Sequence, residues 1–223
     1  AGGKSALQNA TGSFNVAVGS VALENNSTGA QNVAVGDYTL NANTTASFNT
    51  ALGQGAMLVS TTGASNVAVG TDALVANTTG GSNTALGRQA LLANTTGSES
   101  TAVGYRALAT MTTAVRNTAV GHETLTASTT GYNNTAIGYV AGKGITEGYQ
   151  NTLVGDRAGT AITTGDNNTA VGQHALKTST TGENDTAIGF DALQAKTTGN
   201  GRNVAVGAGS MYTATTGYQN VVV

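Results

Sequence analysis

Cysteine, proline and tryptophan are all absent from this chain of 223 residues. Without cysteine there are no disulfide staples, and thiolate chemistry and thiolate metal ligands are excluded. Aromatic residues make up 4% and charged residues 9%, so the large rings that dominate ordinary cores are scarce. A formal charge of −2 offers no electrostatic attraction to nucleic acid or an anionic membrane. No run of eighteen apolar residues occurs, so no transmembrane helix or membrane insertion is expected. The opening "AGGKSALQNATG" (1–12) lacks the apolar stretch of a signal peptide. It reads like an excised or processed segment.

What is abundant is glycine, with 32 residues, set among Ala, Val, Leu, Thr and Asn. Low charge with so much Gly, Asn and Thr is compatible with disorder, and periodicity argues against that. "NTAVGHETLTASTTGYNNTAIG" (117–138) carries one phrase twice, 17 residues apart. The closing glycine recurs as Gly19, Gly36, Gly53, Gly70, Gly87, Gly104, Gly121, Gly138, Gly155, Gly172 and Gly189, always at 17, and then at Gly207 after one extra residue near 200–202. The whole chain, 1–223, is therefore one array of about twelve to thirteen units.

The unit reads N-[TV]-A-[VIL]-G-x-x-A-L-x-x-x-T-T-G-x-x. Two short apolar pieces alternate with two glycine corners, too short for a helix, and β-branched residues dominate the first piece. The spacing predicts an all-β parallel solenoid, one coil per unit, roughly 60 Å long at about 4.8 Å per coil.

In such a stack each consensus position forms a column. The residue four before the glycine is Asn15, Asn32, Asn49, Asn66, Asn83, Asn117, Asn134, Asn151, Asn168, Asn203 and Asn220, with Ser100 and Asp185 departing. Stacked amides can bond along the axis; Asn can also simply start a strand after a turn. The column before the glycine (Val18, Leu52, Ile137 and their equivalents) is always aliphatic and is assigned to the core. Beside it run Ala17, Ala34, Ala51, Ala68, Ala85, Ala102, Ala119, Ala136, Ala170, Ala187 and Ala205, with Leu153 the exception. Neighbours in a strand point to opposite faces, so the strand is apolar on both. The alanine face then needs a cover, and copies of the chain associating there in a closed assembly would supply it.

The phrases "GYNNTAIGYVAG" (131–142), "GYRALATMTTAVRNTAVG" (104–121) and "TTGENDTAIGFDAL" (180–193) resemble two groups of repeats. One is the head of trimeric autotransporter adhesins, a left-handed parallel β-roll; the other is the Asn/Thr/Gly-rich array of phage tail fibres. The likeness spans all 223 residues, and the 17-residue unit favours the tail-fibre type over the shorter adhesin repeat. It implies a homotrimer, a left-handed β-roll, and a place outside the cell or on a virion.

No catalytic constellation emerges. His122 and His174 lie three coils apart in different columns, so no metal site is expected. Asp37, Asp72, Glu123, Asp156 and Asp191 read as solvated corner residues on scattered coils. A phosphate loop would need the lysine of GxxxxGK[ST], which is missing, and repeated calcium sites would need Asp in every turn. The chain is expected to be non-catalytic and to carry no cofactor.

Variable residues are confined to the corners. Candidate contact residues are Tyr105, Arg106, Tyr132, Tyr139, Lys143, Tyr149, Asp156 and Arg157, types that are frequent in interfaces; the same polarity also serves solubility alone. The irregular coils span 138–165; within them the stretch 138–159, with Gly142 and Gly159 where Leu is expected, is ranked first as a contact patch for a host receptor or glycan. Two alternatives stand beside a trimeric, adhesive fibre segment. Recurrent Thr-Thr pairs, from Thr44-Thr45 to Thr215-Thr216, would make files suited to ice. The lack of end caps would allow subunits to stack end to end into a filament.

Overall fold

A computed structural model describes residues 2–8, 10–196, 201–213 and 217–223. The expected pairs Thr197-Thr198 and Thr215-Thr216, and part of the extra residue's neighbourhood, lie outside the described residues. The protein is an all-β parallel solenoid, and no helix occurs among the described residues. It comprises two compact units, Ala1–Val115 and Arg116–Val223.

In the first unit the strands are β1 (Val16–Val18), β2 (Val33–Val35), β3 (Thr50–Leu52), β4 (Val67–Val69), β5 (Thr84–Leu86) and β6 (Thr101–Val103). The second unit has β7 (Thr118–Val120), β8 (Thr135–Ile137), β9 (Thr152–Val154), β10 (Thr169–Val171), β11 (Thr186–Ile188), β12 (Val204–Val206) and β13 (Val221–Val222). Within each unit consecutive strands pair in parallel, as in Ala17↔Ala34 of β1 and β2 and Ala119↔Ala136 of β7 and β8. The extra residue is absorbed before β12, because Thr186 still faces Val204 in phase.

The corner after each strand turns on a glycine near φ +130°, as in Gly87 (φ +138). A Cβ at Gly87 would stand 2.5 Å from the carbonyl oxygen of Gly104 in the next coil. Only glycine allows coils to approach that closely while holding that φ. Two and four residues later the chain enters the left-handed region again, now with ordinary side chains: Gln89 (φ 61) and Leu91 (φ 52). A left-handed L-residue costs about 1–2 kcal/mol, whereas burying a leucine side chain returns about 1.5–3 kcal/mol. Burial therefore outweighs strain at the leucine column, where Leu23, Leu40, Leu74, Leu91, Leu108, Leu125, Leu176 and Leu193 are fully buried.

The assignment of the two strand faces is reversed from the sequence expectation. Ala17, Ala34, Ala51, Ala68, Ala85, Ala102, Ala119, Ala136, Ala170, Ala187 and Ala205 are all fully buried inside the coil of their own chain. They are not a face on which another copy can sit. The aliphatic column assigned to the core points outward, with Val18 48%, Leu86 46% and Ile137 41% exposed. The reason is volume. Leucine of the A-L corner already fills the coil, and the space left opposite the strand admits only a methyl group.

The exceptional coils obey the same rule. Leu153 stands in the alanine column and is fully buried, and the leucine column there holds Gly142 and Gly159. A Cβ at Gly142 would meet Leu153 Cδ1 at 2.8 Å, and one at Gly159 would meet Leu153 Cδ2 at 2.8 Å. Buried Ile145 and Ile162 supply further volume in positions held in most other coils by Asn or Ser. The irregularity of 138–165 is thus an internal exchange of bulk.

Candidate functional site

Several columns carry polar chemistry or exposed apolar surface. The asparagine column before the strand is bonded at both ends of its amide. Each Oδ1 accepts the main-chain N–H of the same column one coil on, as in Asn66 N to Asn49 Oδ1 (2.9 Å) and Asn134 N to Asn117 Oδ1 (2.9 Å). From Asn15 to Asn203 the Nδ2 donates to a carbonyl at the second corner of the next coil, as in Asn49 to Gly63 O (2.9 Å) and Asn151 to Gly165 O (2.9 Å). A buried amide with both ends paired avoids the desolvation penalty and ties coil to coil. Side-chain bonds such as Asn168 Nδ2 to Asn151 Oδ1 (3.1 Å) supplement it.

Asp185 departs from this column for a reason outside it. Its Oδ1 accepts from Asn203 N (3.0 Å) and Nδ2 (2.9 Å), while Oδ2 forms an ion pair with Lys196 Nζ. Both side chains are fully buried. Lys196 occupies an interior column otherwise filled by residues such as Asn26, Asn43, Asn77 and Asn94. Those amides bond in part to each other, as in Asn43 Nδ2 to Asn26 Oδ1 (2.7 Å). The sequence signal for Lys196 was the Asp in an Asn column eleven residues before it.

Threonine pairs divide their labour. The first hydroxyl of each pair donates to the carbonyl of the first Thr in the next coil: Thr78 to Thr95 O (3.0 Å), Thr95 to Thr112 O (3.0 Å), Thr129 to Thr146 O (3.2 Å). The second, as in Thr62 and Thr96, is exposed. Each pair therefore presents one outward file, with the other hydroxyl's proton held within the stack.

Candidate contact residues fall into separate groups. In the first unit, Arg88 lies over the Tyr105 ring at 5.8 Å, and Arg106 occupies the left-handed corner beside it (φ 55). In the second unit, Tyr139 stacks on His122 (5.4 Å) and carries the Arg157 guanidinium at 5.4 Å. Arg157 also reaches Asp156 (3.1 Å), which accepts from Gln173 Nε2 (3.2 Å), and Lys143 pairs with Glu123 (2.7 Å). His174 Nδ1 lies 3.1 Å from Asp191 Oδ1. These partly solvated contacts each contribute little to stability, and they hold the rings and charges in fixed positions.

Tyr132 and Tyr149 belong to the other corner. Their rings stack 5.0 Å apart and 2° from parallel. The neighbouring Asp166 carboxylate, which also accepts from Tyr149 N (2.8 Å), pushes the Tyr149 phenol up from its ordinary value. Two coils beyond Asp166 this file is interrupted by Gly201. There Glu183, Asn184, Gly201, Arg202, Tyr218 and Gln219 line a notch of ≈ 280 Å³. The sequence showed the extra residue near 200–202 but not the notch beside it.

The last candidate is the outward face of the strands. Val16, Val18, Val33, Leu52, Val67 and Leu86 are exposed in the first unit, and Ile137, Val171 and Ile188 in the second. Within each unit these side chains and the intervening threonines make two parallel files at the coil spacing. Among the described residues no cluster of three or more His, Cys, Asp or Glu is placed to hold a metal. No known protein family, curated protein or solved structure matches the chain.

Proposed function

We propose that this chain is a non-catalytic structural segment of a homotrimeric fibre carried outside a cell or on a virion. Copies pack through the outward strand faces, and the corner residues remain displayed for attachment. The observation that carries the reading is the exposed aliphatic file on a chain whose interior is already closed. Six strands of three residues give the first unit a face of roughly 29 by 10 Å, or about 290 Å². A patch of this size, interrupted by Thr50, Thr84 and Thr101, is comparable to the largest apolar patch of an ordinary monomer, and such patches are often functional. Identical faces on identical chains are most simply covered in a closed cyclic assembly. The number three follows from the resemblance to trimeric β-roll and tail-fibre repeats.

The absence of cysteine makes the test clean. Leu86→Cys places a thiol on the outward strand file, and Thr96→Cys places one on an exposed corner of the same unit. In the assembled protein a maleimide reagent labels Thr96→Cys readily and Leu86→Cys at least about tenfold more slowly, because the partner copy covers the strand face. Equal labelling rates contradict the packing.

A further inference from the structure

Along one edge of the second unit, the residue two before each ladder position from Asn134 to Asn220, Asp185 included, is Tyr132, Tyr149, Asp166, Glu183, Gly201 and Tyr218. Side chains there follow one another at the coil spacing except at Gly201. That position has no alternative: a Cβ would stand 1.5 Å from the Glu183 carbonyl oxygen. The gap left between Glu183 and Tyr218 spans two coil steps, about 9.6 Å. Its floor is held by main-chain bonds, Arg202 N to Asn184 O (3.1 Å) and Gln219 N to Gly201 O (3.3 Å). Asn184, Arg202 and Gln219, one residue further along, add polar side chains to one side of the notch.

Three properties define what fits. First, the volume of ≈ 280 Å³ lies just below the range of about 300–1,000 Å³ typical of drug-sized ligands, which suits a single ring. Second, one wall is an aromatic ring, Tyr218, 65% exposed, whose negative face attracts the C–H groups of a saturated ring. Third, the polar groups comprise one carboxylate, one guanidinium and two amides. Together they can accept from and donate to several hydroxyls, with no net charge to select an ion. A phosphate or carboxylate attracted by Arg202 would be repelled by Glu183. Among the described residues none of these four polar side chains makes a side-chain hydrogen bond with another residue, whereas Asp156, Asp185 and Asp191 are all engaged.

We propose that the notch over Gly201 binds one neutral pyranose ring, its C–H face against Tyr218 and its hydroxyls shared among Glu183, Asn184, Arg202 and Gln219. All six lining residues belong to one unit of one chain, so the site does not depend on the assembly proposed above and can fail independently of it.

The experiment is ligand-observed saturation-transfer NMR on the full chain with methyl pyranosides of glucose, galactose and mannose. The expected result is transfer to at least one of them, with a Kd of about 1 mM as befits an open one-ring site. Tyr218→Ala and Glu183→Ala each weaken it by about tenfold, while Thr96→Ala, on an exposed corner of the first unit outside the notch, leaves it unchanged. Tyr218 and Glu183 are exposed, so their loss does not threaten the fold. Absence of transfer to all three sugars at about 10 mM, ten times that Kd, overturns the proposal. So does transfer that survives Tyr218→Ala, or tighter binding of glucose 6-phosphate than of the neutral sugars.

Discussion

Replacing Leu153 by alanine restores the consensus residue of its column and is nevertheless expected to destabilise the protein severely. Leu153 is fully buried between Gly142 and Gly159, whose positions hold leucine in other coils. Loss of three carbon groups at about 0.8 kcal/mol each removes about 2.4 kcal/mol of transfer free energy. The glycines cannot reach into the space, so a cavity term adds to this, giving about 4 kcal/mol, toward the upper end of the range for buried leucines. At about 2–4 °C per kcal/mol for a chain of this length, the melting temperature falls by about 8–16 °C. Urea unfolding followed by far-UV circular dichroism measures the loss, since tryptophan is absent. A second variant tests the cause. In the native chain Gly142→Ala forces a Cβ to 2.8 Å from both Leu125 Cδ2 and Leu153 Cδ1; in the Leu153→Ala background one of those clashes disappears. The two substitutions should therefore couple by about 1–2 kcal/mol in the favourable direction. A loss below about 1 kcal/mol for Leu153→Ala, or strict additivity in the double variant, refutes the shared-volume reasoning.

Asp185→Asn leaves the Lys196 ammonium buried without its counter-charge and is expected to cost about 3–5 kcal/mol; the double variant Asp185→Asn with Lys196→Asn, which gives each column a neutral amide found there in other coils, recovers most of it in the same urea assay. Thr95→Val removes the hydroxyl that donates to Thr112 O and lowers stability by about 1 kcal/mol, whereas Thr96→Val, on the exposed file, changes it by less than about 0.5 kcal/mol. Tyr149 ionises at higher pH than an ordinary tyrosine because of the Asp166 charge. The stability linked to it is present below pH about 10 and is lost as pH rises through the raised folded value. Ultraviolet titration should show this late phenol vanish in Tyr149→Phe and move back toward the ordinary value in Asp166→Asn.

The period, the glycine corners and the asparagine column were legible because each rests on a local rule that repeats in register. The orientation of the strand was not. Only three residues long, it is apolar on both faces, and alternation alone cannot say which face is inside. The information was nonetheless present in three residues. Leu153 interrupts the alanine column where Gly142 and Gly159 interrupt the leucine column, and such an exchange requires both columns to share one interior. Left-handed leucines such as Leu91 were invisible for a different reason. Local preference opposes that conformation for an L-residue, and only tertiary burial reverses it. Among the polar positions, Asp185 was visible as a departure, but its partner Lys196 lies in a column whose inward direction the sequence does not announce. Tyr132 and Tyr149 were legible as corner residues one coil apart. The notch was not, because it depends on the absence of a side chain at Gly201.

The measurement that tests the central claim most directly is the molar mass in solution, by light scattering across a concentration series. The outward aliphatic faces, covered by copies of the chain in a closed trimer, predict a fixed mass of three times 21.9 kDa, or 65.7 kDa, at every concentration. A constant 21.9 kDa would contradict the account, since the exposed strand files would then lack the partner copies on which the proposed fibre rests.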